Sequence, residues 1–232
     1  MLPRRPFGPL WVLPLLLLAI LLPGGVDLHG QAGTTADIDL DNADRILAQA
    51  RGHDNSEVRL SLYRSVEEEA RAALEADPDD HEARWMLLAT LGLLVDEVGA
   101  REKVQAAREV HEHAQVLLEH DARHAGAHHA MGRLNAGILR LNRVVRFVAL
   151  RLVGEDTLSE ASWDDAEEHL RIAMEEEPDV LVHRLELARA FETQGRHDEM
   201  LELLEGIVVA DATVPMDPVV QERARHILED YS

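Results

Sequence analysis

The chain has no cysteine, only 3% aromatic residues and, among 23 basic side chains, a single lysine, Lys103. Without cysteine there is no disulfide, no thiol nucleophile, no thiolate-bound metal and no lipid-anchored N-terminal cysteine. Stability must come from packing alone, and 232 residues suffice to bury a core as one domain or a short repeat array. Positive charge is scarce, with 44 acidic residues giving a net charge of −21. Such a balance argues against nonspecific nucleic-acid binding, which depends on neutralising phosphates with Lys and Arg. Arginine in place of lysine is the usage expected of a GC-rich bacterial genome. Catalytic signatures are absent too: there is no Gly-x-Ser-x-Gly elbow, no glycine-rich phosphate loop and no His-Glu-x-x-His. Carboxylates so numerous on helices pair by chance, so no pair marks a general acid and base. The expectation is a non-enzymatic protein with no cofactor, no metal and no nucleic-acid partner.

An export signal opens the chain. Arg4 and Arg5 precede an uncharged run of 12 residues, Trp11 to Leu22, closed by Pro23-Gly24-Gly25. A membrane span needs about 20 apolar residues, so the run reads as the core of a secretory signal peptide. Gly30 and Ala32 place cleavage after Ala32, with an uncleaved anchor as the alternative. Residues 1–32 are then the signal, 33–40 a polar linker and 41–232 the functional domain, outside the cytoplasm: periplasmic or secreted.

Beyond the linker, apolar residues recur at spacings of three and four, predicting helices. The spans are 41–51, 56–76, 81–97, 101–120, 125–151, 163–177, 181–194, 197–210 and 218–230. Ser162 with Asp165 resembles a capping box, and Asp217-Pro218 an N-cap followed by proline. These helices come in repeats. Glu75-Ala76-Asp77-Pro78 is echoed by Glu119-His120-Asp121-Ala122 and Glu175-Glu176-Glu177-Pro178. Ala166, Leu170 and Ala173 stand 12, 8 and 5 residues before Pro178, where a tetratricopeptide repeat needs small or apolar side chains. Leu187, Ala188 and Phe191 follow it at the repeat's Leu, small and aromatic positions. Equivalent sets are Val66, Ala70 and Ala73; Val110, Ala114 and Leu117; and Met200, Leu204 and Ile207. The turns are 44, 56 and 34 residues apart, and only the last equals the repeat period. The first excess implies longer helices in one pair. The second implies an insertion between the helices of the next, at about 139–154.

The pattern resembles the regulator of microtubule dynamics family and its bacterial relatives. The likeness is carried by Glu112-His113, Ala127-His128 and Gly132-Arg133, by the long insertion before Trp163 and Ala166, and by Ala173 to Pro178, over about residues 56–210. The resemblance implies a tetratricopeptide-like helical fold. It also carries a microtubule-linked role of eukaryotic members, which an exported domain would have no occasion to perform. Leu134 stands where an aromatic residue usually follows Gly-Arg.

Charge is segregated. No acidic residue falls between Asp121 and Glu155, while Arg123, Arg133, Arg140, Arg143, Arg146 and Arg151 all do. On a continuous helix Arg140, Arg143 and Arg146 would share one stripe beside a broad apolar face. Three readings stand open: pairing with acidic helices around Glu67-Glu68-Glu69 or Glu175-Glu176-Glu177, docking of an acidic or amphipathic partner, or contact with an anionic membrane surface. The two acidic runs themselves read as solvated faces. Six of the 13 histidines fall between His111 and His129. His120, His124 and His128 are spaced by four, as metal ligands on one helix would be, but the turn near Ala122 should break that alignment. His113 and His128 are expected buried or half-buried between helix pairs.

The fold expected is all-α: a right-handed tetratricopeptide-like solenoid of about four helix pairs, with a C-terminal capping helix at 218–230. Its concave face is lined by the first helix of each pair. The candidate partner-binding residues are therefore Arg84, Leu88, His128, Asn135, Arg184 and Arg189, with Arg140, Arg143 and Arg146 in the insertion. The function expected is an exported scaffold or adaptor binding a protein or peptide partner in the bacterial cell envelope. The alternative is a peripheral membrane-surface accessory protein using segment 139–152.

Overall fold

A computed structural model describes residues 42–141 and 161–231. The expected signal peptide, the linker, most of the basic insertion, and Arg143 and Arg146 lie outside the described residues. In chain order the helices are α1 (Ala43–Arg51), α2 (Ser56–Ala76), α3 (His81–Glu97), α4 (Ala100–His120), α5 (Ala125–Arg140), α6 (Trp163–Glu176), α7 (Leu181–Gln194), α8 (His197–Val209) and α9 (Asp217–Asp230). The predicted spans agree within two residues except at one end. The helix expected to run to 151 stops at Arg140, because Leu141 turns extended at ψ 138. The helix that carries Arg140 therefore ends at that residue.

Side chains just ahead of each helix explain where several begin. Asn55 accepts from the N–H groups of Glu57 and Val58, Asp80 from Ala83, His124 Nδ1 from Ala127, and Ser162 from Asp165. Each satisfies backbone donors that the first helical turn leaves unpaired. At α7 the corresponding residue is Val180, which has no such side chain. Asp217 supplies it from α9: its fully buried carboxylate accepts from Leu181 N–H at 3.2 Å, Thr213 N–H at 2.8 Å and Val214 N–H at 3.0 Å. Asp217 was expected to cap its own helix. It instead ties the start of α7 to the turn before α9, while Pro218 takes the first turn of α9 as expected. Gly195 ends α7 at φ +73, a left-handed conformation that other residues adopt at a cost.

The helices form four antiparallel-type pairs, α1/α2, α3/α4, α5/α6 and α7/α8, closed by α9. Each helix packs on its sequence neighbours, and the odd-numbered helices also meet one another, α1 on α3, α3 on α5, α5 on α7 and α7 on α9. The odd helices thus make a continuous inner layer and the even ones an outer layer. The long pair is α3/α4 and the insertion falls between α5 and α6, as the turn spacings implied. Every repeat position singled out above is buried except Ala73, which is half-buried. Glu67 departs from the solvated-face reading: at 8% exposure it accepts from Arg64 at 2.6 Å and Arg71 at 3.0 Å, while Glu68 and Glu69 remain exposed.

Two core clusters meet at α5 and α6. One gathers Tyr63, Leu87, Leu91, Leu94, Val110 and Leu117; the other Leu170, Leu181, Leu187, Phe191, Met200 and Leu204. Two glycines of α5 allow the close approach. A Cβ at Gly126 would stand 2.3 Å from the Trp85 ring, and one at Gly132 would stand 2.7 Å from Leu170 Cγ and 2.9 Å from the Ala166 carbonyl. No described helix is long and apolar enough to cross a membrane. Because Gly132 abuts backbone, Gly132→Ala should lower stability by about 1–3 kcal/mol despite alanine's better helix propensity. Gly206, with nothing within 4 Å of its added Cβ, should gain about 0.5–1 kcal/mol as Gly206→Ala. Urea unfolding of both variants beside the parent checks the pair, and equal stabilisation by both would remove the close-approach argument.

Candidate functional site

The inner layer brings together charges that lie far apart in sequence. Arg133 sits at its centre on α5. Its Nη1 donates to the Gly92 carbonyl at 2.8 Å and its Nη2 to Asp96 Oδ2 at 2.8 Å, both on α3. Its Nε lies 3.6 Å from Glu186 Oε1 on α7. Arg189, one turn beyond Glu186, donates to the same oxygen at 3.1 Å. Arg51, the last residue of α1, approaches Asp96 at 4.0 Å. Arg140, at the end of α5, donates through Nε to Thr193 Oγ1 at 3.2 Å, and Thr193 in turn donates to the Arg189 carbonyl at 2.9 Å.

Glu186 is 2% exposed, and an isolated carboxylate so buried would be driven towards its neutral form. The surrounding cations overcome that desolvation, Arg133 most and then Arg189, and hold the Glu186 carboxyl at about 2. The same pairing, with Asp96 contributing, raises Arg133 above the ordinary arginine value against its own burial. Arg140 shifts the other way: burial lowers it, and Arg189 and Arg133 lower it further against the pull of Glu186. Two atoms of this cluster, Arg140 Nη2 and Glu186 Oε2, are buried without a hydrogen-bond partner. The cluster holds permanent cations and a firmly ionised acid. Such groups suit ion pairing and not proton transfer.

Beside it run two histidine pairs whose tautomers follow from their outer partners. A carbonyl or carboxylate oxygen accepts, so the histidine nitrogen facing it carries hydrogen. His128 Nε2 donates to the Ala122 carbonyl at 3.0 Å, which leaves its Nδ1 to accept from His169 Nδ1 of α6 at 2.8 Å. His183 Nε2 donates to Glu177 at 3.1 Å, and its Nδ1 accepts from His129 Nδ1 at 3.0 Å. These pairs pin α5 to α6 and to α7. His120, His124 and His128, spaced by four in sequence, end in three surroundings: His120 stacks on His81, His124 caps α5, and His128 joins His169. Among the described residues no three His, Asp or Glu side chains converge to hold a metal ion.

The residues expected to line the concave face divide sharply. Leu88 is corrected: at 1% exposure it belongs to the core and offers a ligand nothing. Arg84, His128 and Arg184 occupy one repeat position, six residues past Pro78, Ala122 and Pro178, and each donates to that turn's carbonyl. They clamp the repeat turns, and Arg84 also donates to His113 Nδ1 at 3.2 Å. Asn135 is half-buried and donates back to the Met131 carbonyl. Among the described candidates, Arg140 and Arg189 fall in the inner cluster. Arg123, from the same acid-free stretch, follows the internal-pairing reading and binds Glu175 at 3.3 Å and Glu176. Sequence reasoning overlooked Arg51, Asp96 and Glu186. A usable signal existed, since Arg133 and Arg189 both stand 11 residues past their repeat turn, and Glu186 interrupts an apolar stripe.

The paired helices, with small and large residues alternating at fixed repeat positions, define a tetratricopeptide-like α-solenoid. The family model for regulator of microtubule dynamics protein 1-3 matches residues 42–232, and the chain belongs to that family. No curated protein matches it. A crystal structure of a thermophilic TPR protein from Thermus thermophilus aligns over 82% of this chain and 100% of its own, at 20% identity and a TM-score of 0.37.

Burial holds His129 neutral with its pKa lowered from 6.5 to about 3, with His183 next in effect and Arg133 and Arg51 adding to it against Glu186. The unfolded chain therefore takes up a proton that the folded chain refuses. The stability that neutral His129 contributes is full above pH 6.5 and is lost as pH falls from there towards 3, by up to about 1.4 kcal/mol per pH unit. The gap in urea unfolding free energy between the parent and His129→Gln should narrow steadily between pH 7 and pH 4. A gap independent of pH would refute the assignment.

Proposed function

We propose that the chain is a non-enzymatic exported scaffold that binds a protein partner in the bacterial cell envelope through its inner face. The observation that carries this reading is the inner layer itself. Odd-numbered helices from all four pairs contribute to one surface, and that surface carries a charge cluster not consumed by the core. Stacked repeats of this kind present extended concave surfaces suited to a partner segment. The absence of catalytic motifs supports a scaffold, and so does the chemistry of the cluster, whose groups hold their charge at neutral pH. Export rests on Arg4, Arg5 and the apolar run Trp11 to Leu22. The microtubule role in the family's name is not carried over, because an exported domain would meet no microtubule.

The alternative of a membrane-surface protein rests on segment 139–152, whose arginines interleave with apolar residues. The inner-face reading is preferred because ion pairs link charged residues of α1, α3, α5 and α7 along that layer, which supports it.

A photo-cross-linking side chain at position 137, between Arg133 and Arg140 on inner helix α5 where an added Cβ meets nothing within 4 Å, should capture a discrete envelope protein in living cells. The same group at position 168, exposed on outer helix α6, should not. The captured chain should begin at Gly33 by N-terminal sequencing. Cross-linking equal at both positions would defeat the inner-face reading, and a product confined to the cytoplasm would defeat export.

A further inference from the structure

The inner cluster is unbalanced. Arg51, Arg133, Arg140 and Arg189 face two carboxylates in contact, Asp96 and Glu186. Glu186 is shared by Arg133 and Arg189, and Asp96 by Arg133 and Arg51. Among the described residues Arg140 has no carboxylate within ion-pair distance, and only the Thr193 hydroxyl receives its Nε. Its Nη2 is buried and unpartnered. Glu192, a turn further along α7, accepts from Tyr231 and acts on Arg140 only at longer range.

A buried guanidinium donor without an acceptor costs more than a neutral one, because a charged group has lost its water. The arrangement persists with the partner sites filled on Arg133 and left open on Arg140. The open donors lie beside Arg189, whose Nη1 alone is used and which remains about one-third exposed at 34%. Thr193 fixes the spacing by holding Arg140 to the turn of α7 that begins at Arg189.

We propose that Arg140 and Arg189 bind a carboxylate of an acidic protein segment on the inner face of the solenoid. This deepens the scaffold reading and rests on it: the partner presents Asp or Glu in a short extended stretch. A carboxylate supplies the planar pair of acceptor oxygens that a guanidinium fork matches. It also supplies the negative charge that the cluster lacks. A long polyanion fits poorly, since the chain around the cluster is strongly acidic, with a net charge of −21.

The test is fluorescence anisotropy of the full chain with fluorescein-labelled hexaglutamate, and with hexaglutamine as the neutral probe. Hexaglutamate should bind and hexaglutamine should not. Arg140→Gln and Arg189→Gln should each weaken hexaglutamate by about tenfold, the scale of one charge-assisted contact. Arg140→Lys, which keeps the charge but loses the planar fork, should recover only part of the affinity lost in Arg140→Gln, and Arg225→Gln on the capping helix should change nothing. Glu192→Gln should tighten binding about two- to threefold by removing a nearby repulsive charge. That gain cannot arise from misfolding, so it reads the site even where an arginine variant unfolds, and its absence would overturn the proposal. So would equal binding of both probes, no hexaglutamate binding at about millimolar protein, or arginine variants that melt like the parent and bind unchanged. A partner captured at position 137 equally well by the arginine variants would leave the scaffold standing and overturn this site. Hexaglutamate binding with the expected losses, but no captured partner, would support the site and count against the scaffold.

Discussion

The arrangement depends on how closely α5 can approach α6. Gly132 offers no side chain, so the Ala166 backbone and the Leu170 side chain of α6 occupy the space a Cβ would fill. That contact joins the two halves of the core. It also fixes the rotation of α5 about its own axis, because the residue after the glycine must then point away from α6 towards the inner layer. Arg133 reaches Gly92 and Asp96 on one side and Glu186 on the other. A buried ion pair contributes little net stability, but removing one partner leaves a charge stranded. Here the pair acts as a register device: α3, α5 and α7 satisfy it only in one relative alignment.

The histidines serve the same alignment by different means. A neutral imidazole both donates and accepts, so a pair of them can hand one hydrogen bond between two helices while each ring keeps an outer partner. His128 links the Ala122 carbonyl to α6, and His183 links Glu177 to α5. Charging both rings of a pair would set donor against donor. The neighbouring Arg133 and Arg51 already oppose a proton on His129. The two histidine pairs are therefore interhelical pins, joining α5 to α6 and to α7.

The architecture was legible because it is written in local periodicity. Pro78, Ala122 and Pro178 mark the turns, small residues at Ala70, Ala114, Ala166 and Ala188 mark close helix contacts, and nearly every helix end followed from caps and breakers. The site was less legible because surface and clamp positions share a repeat phase. Arg84, His128 and Arg184 look like ligands from their place on the first helix of each pair, yet each side chain turns back six residues to a turn carbonyl. Periodicity reports which face a residue is on. It does not report whether a long side chain spends its donors on its own backbone. Asp217 shows the same limit, since its partner Leu181 lies 36 residues away and Val180 gives no hint that a cap must come from elsewhere. The end of α5 at Arg140 was missed for a related reason: the apolar and basic residues beyond it keep a helical spacing although Leu141 leaves the helix.

The overall charge and the inner cluster act at different ranges. At physiological ionic strength the screening length is about 8 Å, so a ligand reaching the inner layer feels Arg140 and Arg189 far more than the acidic outer helices. An extended polyanion cannot enter without also lying along those helices, where Glu168, Glu175 and Glu205 stand exposed. A short acidic stretch can. For the acidic segment proposed above, the negative exterior would work as a filter by size, because like charges placed against the wrong ligand discriminate as effectively as good contacts to the right one. The same physics bears on the four arginines of the inner cluster. Four guanidinium groups scattered over an acidic surface would each find a carboxylate nearby, as Arg123 does at Glu175 and Glu176. Gathered on the inner face, they outnumber the acids within reach, and the excess falls on Arg140.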